Sequence, residues 1–146
     1  MDLNELKDRI ALKELVDRIS ILGDQKDFEN QVQLFSEDAI SETIAEGKTV
    51  LKLEGRQEMA QAFEKFLQDV ETLYHFNGQH LVTIDGDKAT GKCYCLIMLI
   101  SKEEGKELKT TIGATYEDDY IRLKNGWFVA KRIGNFEWLD KTEIQS

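Results

Sequence analysis

Tyr120-Ile121-Arg122-Leu123-Lys124-Asn125-Gly126-Trp127-Phe128-Val129 decides the fold. Two strand-like runs meet at an Asn-Gly pair, and because both residues tolerate positive φ this is a strong hairpin signal. The same grammar repeats outward from it. Glu104-Gly105-Lys106 divides a strand over 107–123 from one over 88–101, Asp85-Gly86-Asp87 divides that one from a strand over 74–84, and a last strand follows over 127–138. From Leu73 onward the apolar residues recur with a period of two, as in strands that bury one face. Strands of about 12 residues or more exceed the usual five or six and tend to coil, with Gly78, Gly91 and Gly113 as positions for a bulge or kink.

The first half follows a different period. Leu3, Leu6, Ile10, Leu15, Ile19 and Leu22 have the three-to-four spacing of an amphipathic helix. Gly23-Asp24-Gln25-Lys26-Asp27 breaks it, and Asp27 is a good N-cap for a short second helix holding Phe28, Val32 and Phe35. Residues 39–53 suggest a short hairpin around Glu46-Gly47-Lys48, and a third helix follows Gly55 with Met59, Ala62, Phe63, Phe66 and Leu67 on one side. Helices first and an antiparallel meander after them define an α+β class. The expected architecture is one domain over residues 1–146, a curved antiparallel sheet forming a cone wrapped on three helices from the N-terminal half, around an apolar pocket.

Composition narrows the function classes. A chain of 146 residues, 41% hydrophobic, can fill one core. Its net charge is −9 with acidic residues spread along the chain, which repels phosphate backbones and anionic lipid. Lysines alternate with glutamates, as in Lys102-Glu103-Glu104-Gly105-Lys106, so there is no basic patch for nucleic acid or a membrane surface. Met1-Asp2-Leu3-Asn4-Glu5 lacks the basic start of a secretory signal, and the longest apolar run, Cys93 to Ile100, is too short to span a bilayer. A cytoplasmic location is expected. Cys93 and Cys95, two apart on one strand, point the same way and read as reduced core residues. No phosphate loop, nucleophile signature or metal-ligand spacing is present, so neither metal nor cofactor is expected.

Several motifs, in their joint order, resemble a known family. They are Gly23-Asp24-Gln25-Lys26-Asp27-Phe28 after the first helix, Glu54-Gly55-Arg56-Gln57-Glu58-Met59 opening the third, His75 ten positions before Asp85-Gly86-Asp87, and Gly113-Ala114-Thr115-Tyr116-Glu117-Asp118 before Asn125-Gly126-Trp127. Together they resemble the SnoaL-like domain of the cystatin-like, nuclear transport factor two-like superfamily. That superfamily includes ketosteroid isomerase, scytalone dehydratase and bile-acid dehydratase. The resemblance implies a pairing of Asp24 with His75, as in the dehydratase and cyclase branches. A carboxylate accepting one imidazole N–H fixes the tautomer and leaves the other nitrogen as a base.

Tyr116 resembles a pocket-facing position of scytalone dehydratase, and its hydroxyl could donate to a substrate oxygen. The second histidine of that enzyme falls at Leu99 here, and the tyrosines around its first helix fall at Ile19 and Gly23. The expected pocket lining of Phe63, Tyr94, Met98, Phe136 and Trp138 favours a flat apolar ligand. Asp118 and Arg132 are expected to pair across neighbouring strands. His80, an odd number of residues from His75, should face the other side of the sheet. The resemblance implies a small cofactor-independent lyase or isomerase acting by acid–base chemistry on a polyketide-, steroid- or aromatic-like substrate. The alternative is a non-catalytic binding or assembly domain of the same fold. A homodimer through the outer sheet face is the expected assembly.

Overall fold

Asp2 starts the first helix: its carboxylate accepts the Glu5 backbone N–H at 2.8 Å, satisfying one of the donors that a helix N-terminus leaves open. α1 (Leu3–Asp24) buries Leu12, Leu15, Val16 and Ile19, whereas Leu3, Leu6 and Ile10 of the same apolar stripe remain exposed. Lys26 takes a left-handed φ of 57° and turns the chain back. α2 (Phe28–Gln31) is a single turn capped by Asp27. A 3-10 turn over Val32–Leu34 tightens the winding, so Phe35, expected on the second helix, instead opens β1 (Phe35–Ala45). β1 hairpins into β2 (Lys48–Glu54) through Glu46 and Gly47, both at positive φ. α3 (Arg56–Leu67) follows, and then β3 (Val70–Asp85), β4 (Lys88–Glu103), β5 (Lys106–Leu123) and β6 (Gly126–Glu143) form the meander. This computed structural model describes residues 1–144; the last two positions of the expected 1–146 span lie outside the described residues.

The six strands form one sheet in the order β2-β1-β6-β5-β4-β3. Every neighbouring pair is antiparallel except β1 and β6, which run parallel. That parallel pair attaches the early hairpin to the end of the meander and curls the sheet around the helices. Of the three glycines expected at irregularities, two lie at register shifts: Gly78 between Asn77 and His80 on β3, and Gly113 where β5 meets β6. Gly91 sits in regular register and serves a different purpose, because a Cβ there would meet the Tyr120 ring at 2.8 Å.

The inner face holds two apolar groups. Leu12, Val16, Phe35, Met59, Tyr120, Trp127 and Val129 pack between the helices and the sheet. Leu73, Cys93, Cys95, Ile97, Ile112, Ala114 and Tyr116 continue the core toward the cone's other end. Each of the Val, Leu, Ile, Phe and Met side chains among them, fully buried, contributes roughly 1.5–3 kcal/mol relative to its exposed state. The two cysteines are free and buried.

Strand alternation corrects three of the expected lining residues. On β4, Cys93, Cys95 and Ile97 point inward, so Tyr94 and Met98 belong to the outer face, where Tyr94 is 50% exposed. Trp138 shares its parity with the inward Phe136, but the shift at Gly113 leaves Glu137 unpaired between them and turns Trp138 outward. Its indole then lies on Gly113, where a Cβ would come within 2.1 Å of the indole nitrogen. The shift at Gly78 acts in the opposite sense on His80. Asn77 pairs with Cys95 and His80 with Cys93, both inward positions, so His80 faces the same side as His75 and not the other.

Candidate functional site

β3 is an edge strand, with no neighbouring strand on its outer side. The C-terminal half of α1 meets that edge, mainly through side chains. Asn77 Nδ2 donates to the Val16 carbonyl at 3.3 Å and to Asp17 Oδ1 at 3.1 Å, and the Ser20 hydroxyl donates to Asn77 Oδ1 at 3.2 Å. One turn further along, the His75 backbone N–H donates to Asp24 Oδ2 at 3.1 Å. The other carboxylate oxygen of Asp24 lies 2.6 Å from His75 Nδ1. A carboxylate can only accept here, so Nδ1 carries a hydrogen, and in the neutral imidazole Nε2 keeps the lone pair. Both side chains are partly buried, 16% exposed for His75 and 20% for Asp24.

His75 lines a cavity of about 430 Å³ between the helices and the inner face of the sheet. Its wall is mostly apolar, with Phe28, Phe35, Phe63, Leu73, Ile97 and Phe136 among its members, and Leu99 is there as well. Val50 and Phe66 belong to the same wall and are 62% and 57% exposed, which marks the open end. Of the expected site residues, His75, Tyr116, Phe63 and Phe136 border this cavity, and Asp24 stands behind His75. Tyr94, Met98 and Trp138 do not border it.

The polar members converge from different elements. Tyr116 on β5 is buried, and burial pushes its phenol well above the ordinary value, so it stays a proton donor. Gly134 makes room for that ring, since a Cβ there would lie 3.1 Å from it. Arg132 on β6 lies 4.0 Å from the Tyr116 ring centroid, in cation–π contact. It is held by Asp118, which accepts from Nε at 2.8 Å and from Nη2 at 3.0 Å, leaving Nη1 outside the pair. Burial alone would lower the guanidinium, but the charge and hydrogen bonds of Asp118 outweigh it and hold Arg132 above its ordinary value. Tyr120 donates to Asp118 Oδ2 at 3.1 Å, so its oxygen accepts from His80 Nε2, also at 3.1 Å. Sequence reasoning treated Arg132 only as an ion-pair partner and gave no signal for Ser20 or Gln31, which also border the cavity. Among the described residues no group of three or more His, Cys, Asp or Glu side chains is placed to hold a metal ion.

A long helix and two short ones set in a strongly curled, unclosed six-stranded sheet define the cystatin-like architecture of nuclear transport factor two-like proteins. Within it, the chain belongs to the SnoaL-like domain family, whose model matches residues 4–133. An uncharacterised protein of Mycobacterium tuberculosis is 25% identical over 134 residues, covering 91% of this chain and 88% of the relative. A nuclear transport factor two-like protein with a cystatin-like fold from Novosphingobium aromaticivorans has a TM-score of 0.75 at 25% identity, with 92% of this chain and 84% of that chain covered. A type 3 hexachlorocyclohexane dehydrochlorinase from Novosphingobium barchaimii has a TM-score of 0.80 at 19% identity, covering 100% of this chain and 96% of that chain. Among the described residues no helix is long and apolar enough to cross a membrane.

Proposed function

We propose that this protein is a small lyase or isomerase in which His75, oriented by Asp24, removes a proton from an apolar substrate held in the cavity. The observation that carries the proposal is the 2.6 Å contact between Asp24 and His75 Nδ1 on the wall of a mostly apolar cavity, because it leaves Nε2 as a fixed proton acceptor. For a substrate with a proton α to a carbonyl, that proton passes to Nε2 and the electron pair moves onto the carbonyl oxygen. Tyr116, kept protonated by burial, and Nη1 of Arg132 are the donors able to receive the charge on that oxygen. Return of the proton at another carbon gives an isomerase; departure of a leaving group from the β carbon gives a lyase. A protein of the same fold is named a dehydrochlorinase, which supports the lyase branch.

Deuterium incorporation into 2-tetralone, an apolar cyclic ketone of suitable size, tests the chemistry by NMR in D2O. The expected result is exchange by the wild type well above background and a loss of about 10²–10⁴-fold in His75→Ala. Exchange that is the same in wild type and His75→Ala would overturn the proposal. A second reading, a binding domain without chemistry, is favoured by Leu99, an apolar residue on the cavity wall where a second histidine would assist a dehydration. Tight binding of 2-tetralone with no exchange would select it.

A further inference from the structure

Gln31 ends the single-turn α2 with its side chain turned into the protein, 8% exposed. Its Nε2 donates to the Ile19 carbonyl at 2.9 Å. A carbonyl oxygen only accepts, so the amide cannot be turned the other way, and Oε1 is the end left over. That oxygen is buried and has no hydrogen-bond partner among the described residues. Native proteins leave few buried acceptors unpaired, and an unpaired one on a cavity wall selects strongly for whatever supplies the missing donor.

The chain makes deliberate room for this amide. A Cβ built on Gly23 would lie 2.8 Å from Gln31 Nε2 and 3.8 Å from His75 Cε1, so the absent side chain lets Gln31 and His75 approach the same point. Gly23, Gln31 and His75 all border the cavity, and Phe28 and Leu73 beside them are apolar. We propose that Gln31 Oε1 is the specificity-determining acceptor of the cavity and takes a hydrogen bond from a hydroxyl or N–H of the ligand. The ligand class is then an apolar ring compound bearing a free hydroxyl or N–H donor, and not its ether, ester or halide counterpart. Oε1 is almost inaccessible in the unliganded structure, so the proposed contact includes a shift of the Gln31 side chain on binding, which its amide resonances report. The inference rests on the cavity being the ligand site and is independent of proton abstraction by His75.

Calorimetric titration of the full chain with 2-naphthol and with 2-fluoronaphthalene, nearly equal in size but only one a donor, tests the assignment. The wild type should bind 2-naphthol tighter by about tenfold or more. The preference should fall to about twofold or less in Gln31→Met, which keeps the length and removes the acceptor, and should persist in His75→Ala. Should Gln31→Met fail to fold, the wild type still decides: the Gln31 side-chain amide resonances should shift with 2-naphthol and stay in place with 2-fluoronaphthalene. Equal affinities, no measurable 2-naphthol binding, unmoved Gln31 resonances, or a preference that survives in Gln31→Met but not in His75→Ala each overturn the assignment. A donor preference held by Gln31 in a protein that fails to exchange 2-tetralone refutes the base chemistry alone. Exchange without the preference refutes only the role of Gln31.

Discussion

Asp118→Ala is the substitution whose cost the structure defines most closely. The Asp118 carboxylate is fully buried and takes hydrogen bonds from Arg132 Nε, Arg132 Nη2 and the Tyr120 hydroxyl. Truncation leaves a guanidinium that is 9% exposed without its counter-charge, and among the described residues no other carboxylate is bonded to it. Breaking one side of a buried pair costs about 3–5 kcal/mol, chiefly the desolvation of the charge left behind. Loss of the Tyr120 acceptor falls within the same figure, since the two donors share one carboxylate and their costs do not add. Against a typical domain stability of roughly 5–15 kcal/mol, the variant should keep its fold with a much reduced margin. At about 2–4 °C per kcal/mol for a domain of this size, melting should fall by roughly 6–20 °C.

The assay is urea unfolding followed by circular dichroism and tryptophan fluorescence, read as a change in midpoint at constant slope. A second variant separates the charge from the packing. Asp118→Leu combined with Arg132→Met removes both partners, and the double variant should lie within about 1 kcal/mol of wild type or above it. A loss of less than about 1 kcal/mol in Asp118→Ala would falsify the claim that this pair is dry and mutually dependent, because a solvated pair contributes only about that much.

Burial is the largest influence on His80 and lowers its pKa below the ordinary 6.5. Facing it are Asp118 on β5, Arg132 on β6, and Lys13 and Asp17 on α1. The unfolded chain therefore takes up the proton first, and stability is lost as pH falls from about 6.5 toward the folded value. Urea midpoints measured at intervals from pH 7.5 to 5.5 should decline, with a shallower decline in His80→Gln. An identical slope in the two proteins would contradict the assignment. Burial pushes the thiols of Cys93 and Cys95 up to about 11 and about 12, so at pH 8 neither should react with a disulfide reagent in the native protein, whereas both should react in urea. Gly91→Ala places a Cβ 2.8 Å from the Tyr120 ring and 2.9 Å from its hydroxyl oxygen, which should cost about 1–3 kcal/mol in chemical denaturation.

Hydrophobic period and turn chemistry were enough to read the four meander strands, the first helix and the hairpin before α3, because each rests on local spacing. The parallel pairing of β1 with β6 left no such mark, since strand order depends on which surfaces meet after collapse. Asp24 and His75 could be named only through family resemblance. Their separation of 51 positions is closed by the edge of β3 seeking partners on α1, which no local pattern reports. Gln31 gave no signal at all: it is a glutamine in a one-turn helix, and only its inward direction gives it meaning.

The misplacements of Trp138 and His80 have one cause, and it is instructive for the site. Strand alternation is reliable between irregularities and inverts across each one, because one unpaired residue moves all that follow to the other face. Gly78 marks the extra residue on β3 itself, whereas the extra residue opposite Gly113 lies on the neighbouring strand, and alternation on β5 runs through Gly113 unchanged. Applying the inversion at Gly78 places His80 inward, whereas the outward turn of Trp138 follows from Glu137, an extra residue on β6 that no glycine on that strand marks. It also explains the division of labour along β3. Before the shift His75 faces the cavity and α1; after it His80 reaches inward at the Tyr120–Asp118–Arg132 network. Had the strand run without the shift, His80 would point to the outer face and Tyr120 would lose its donor. The bulge thus lets one edge strand support both polar arrangements around the cavity, the Asp24–His75 pair directly and Arg132 through two buried side chains.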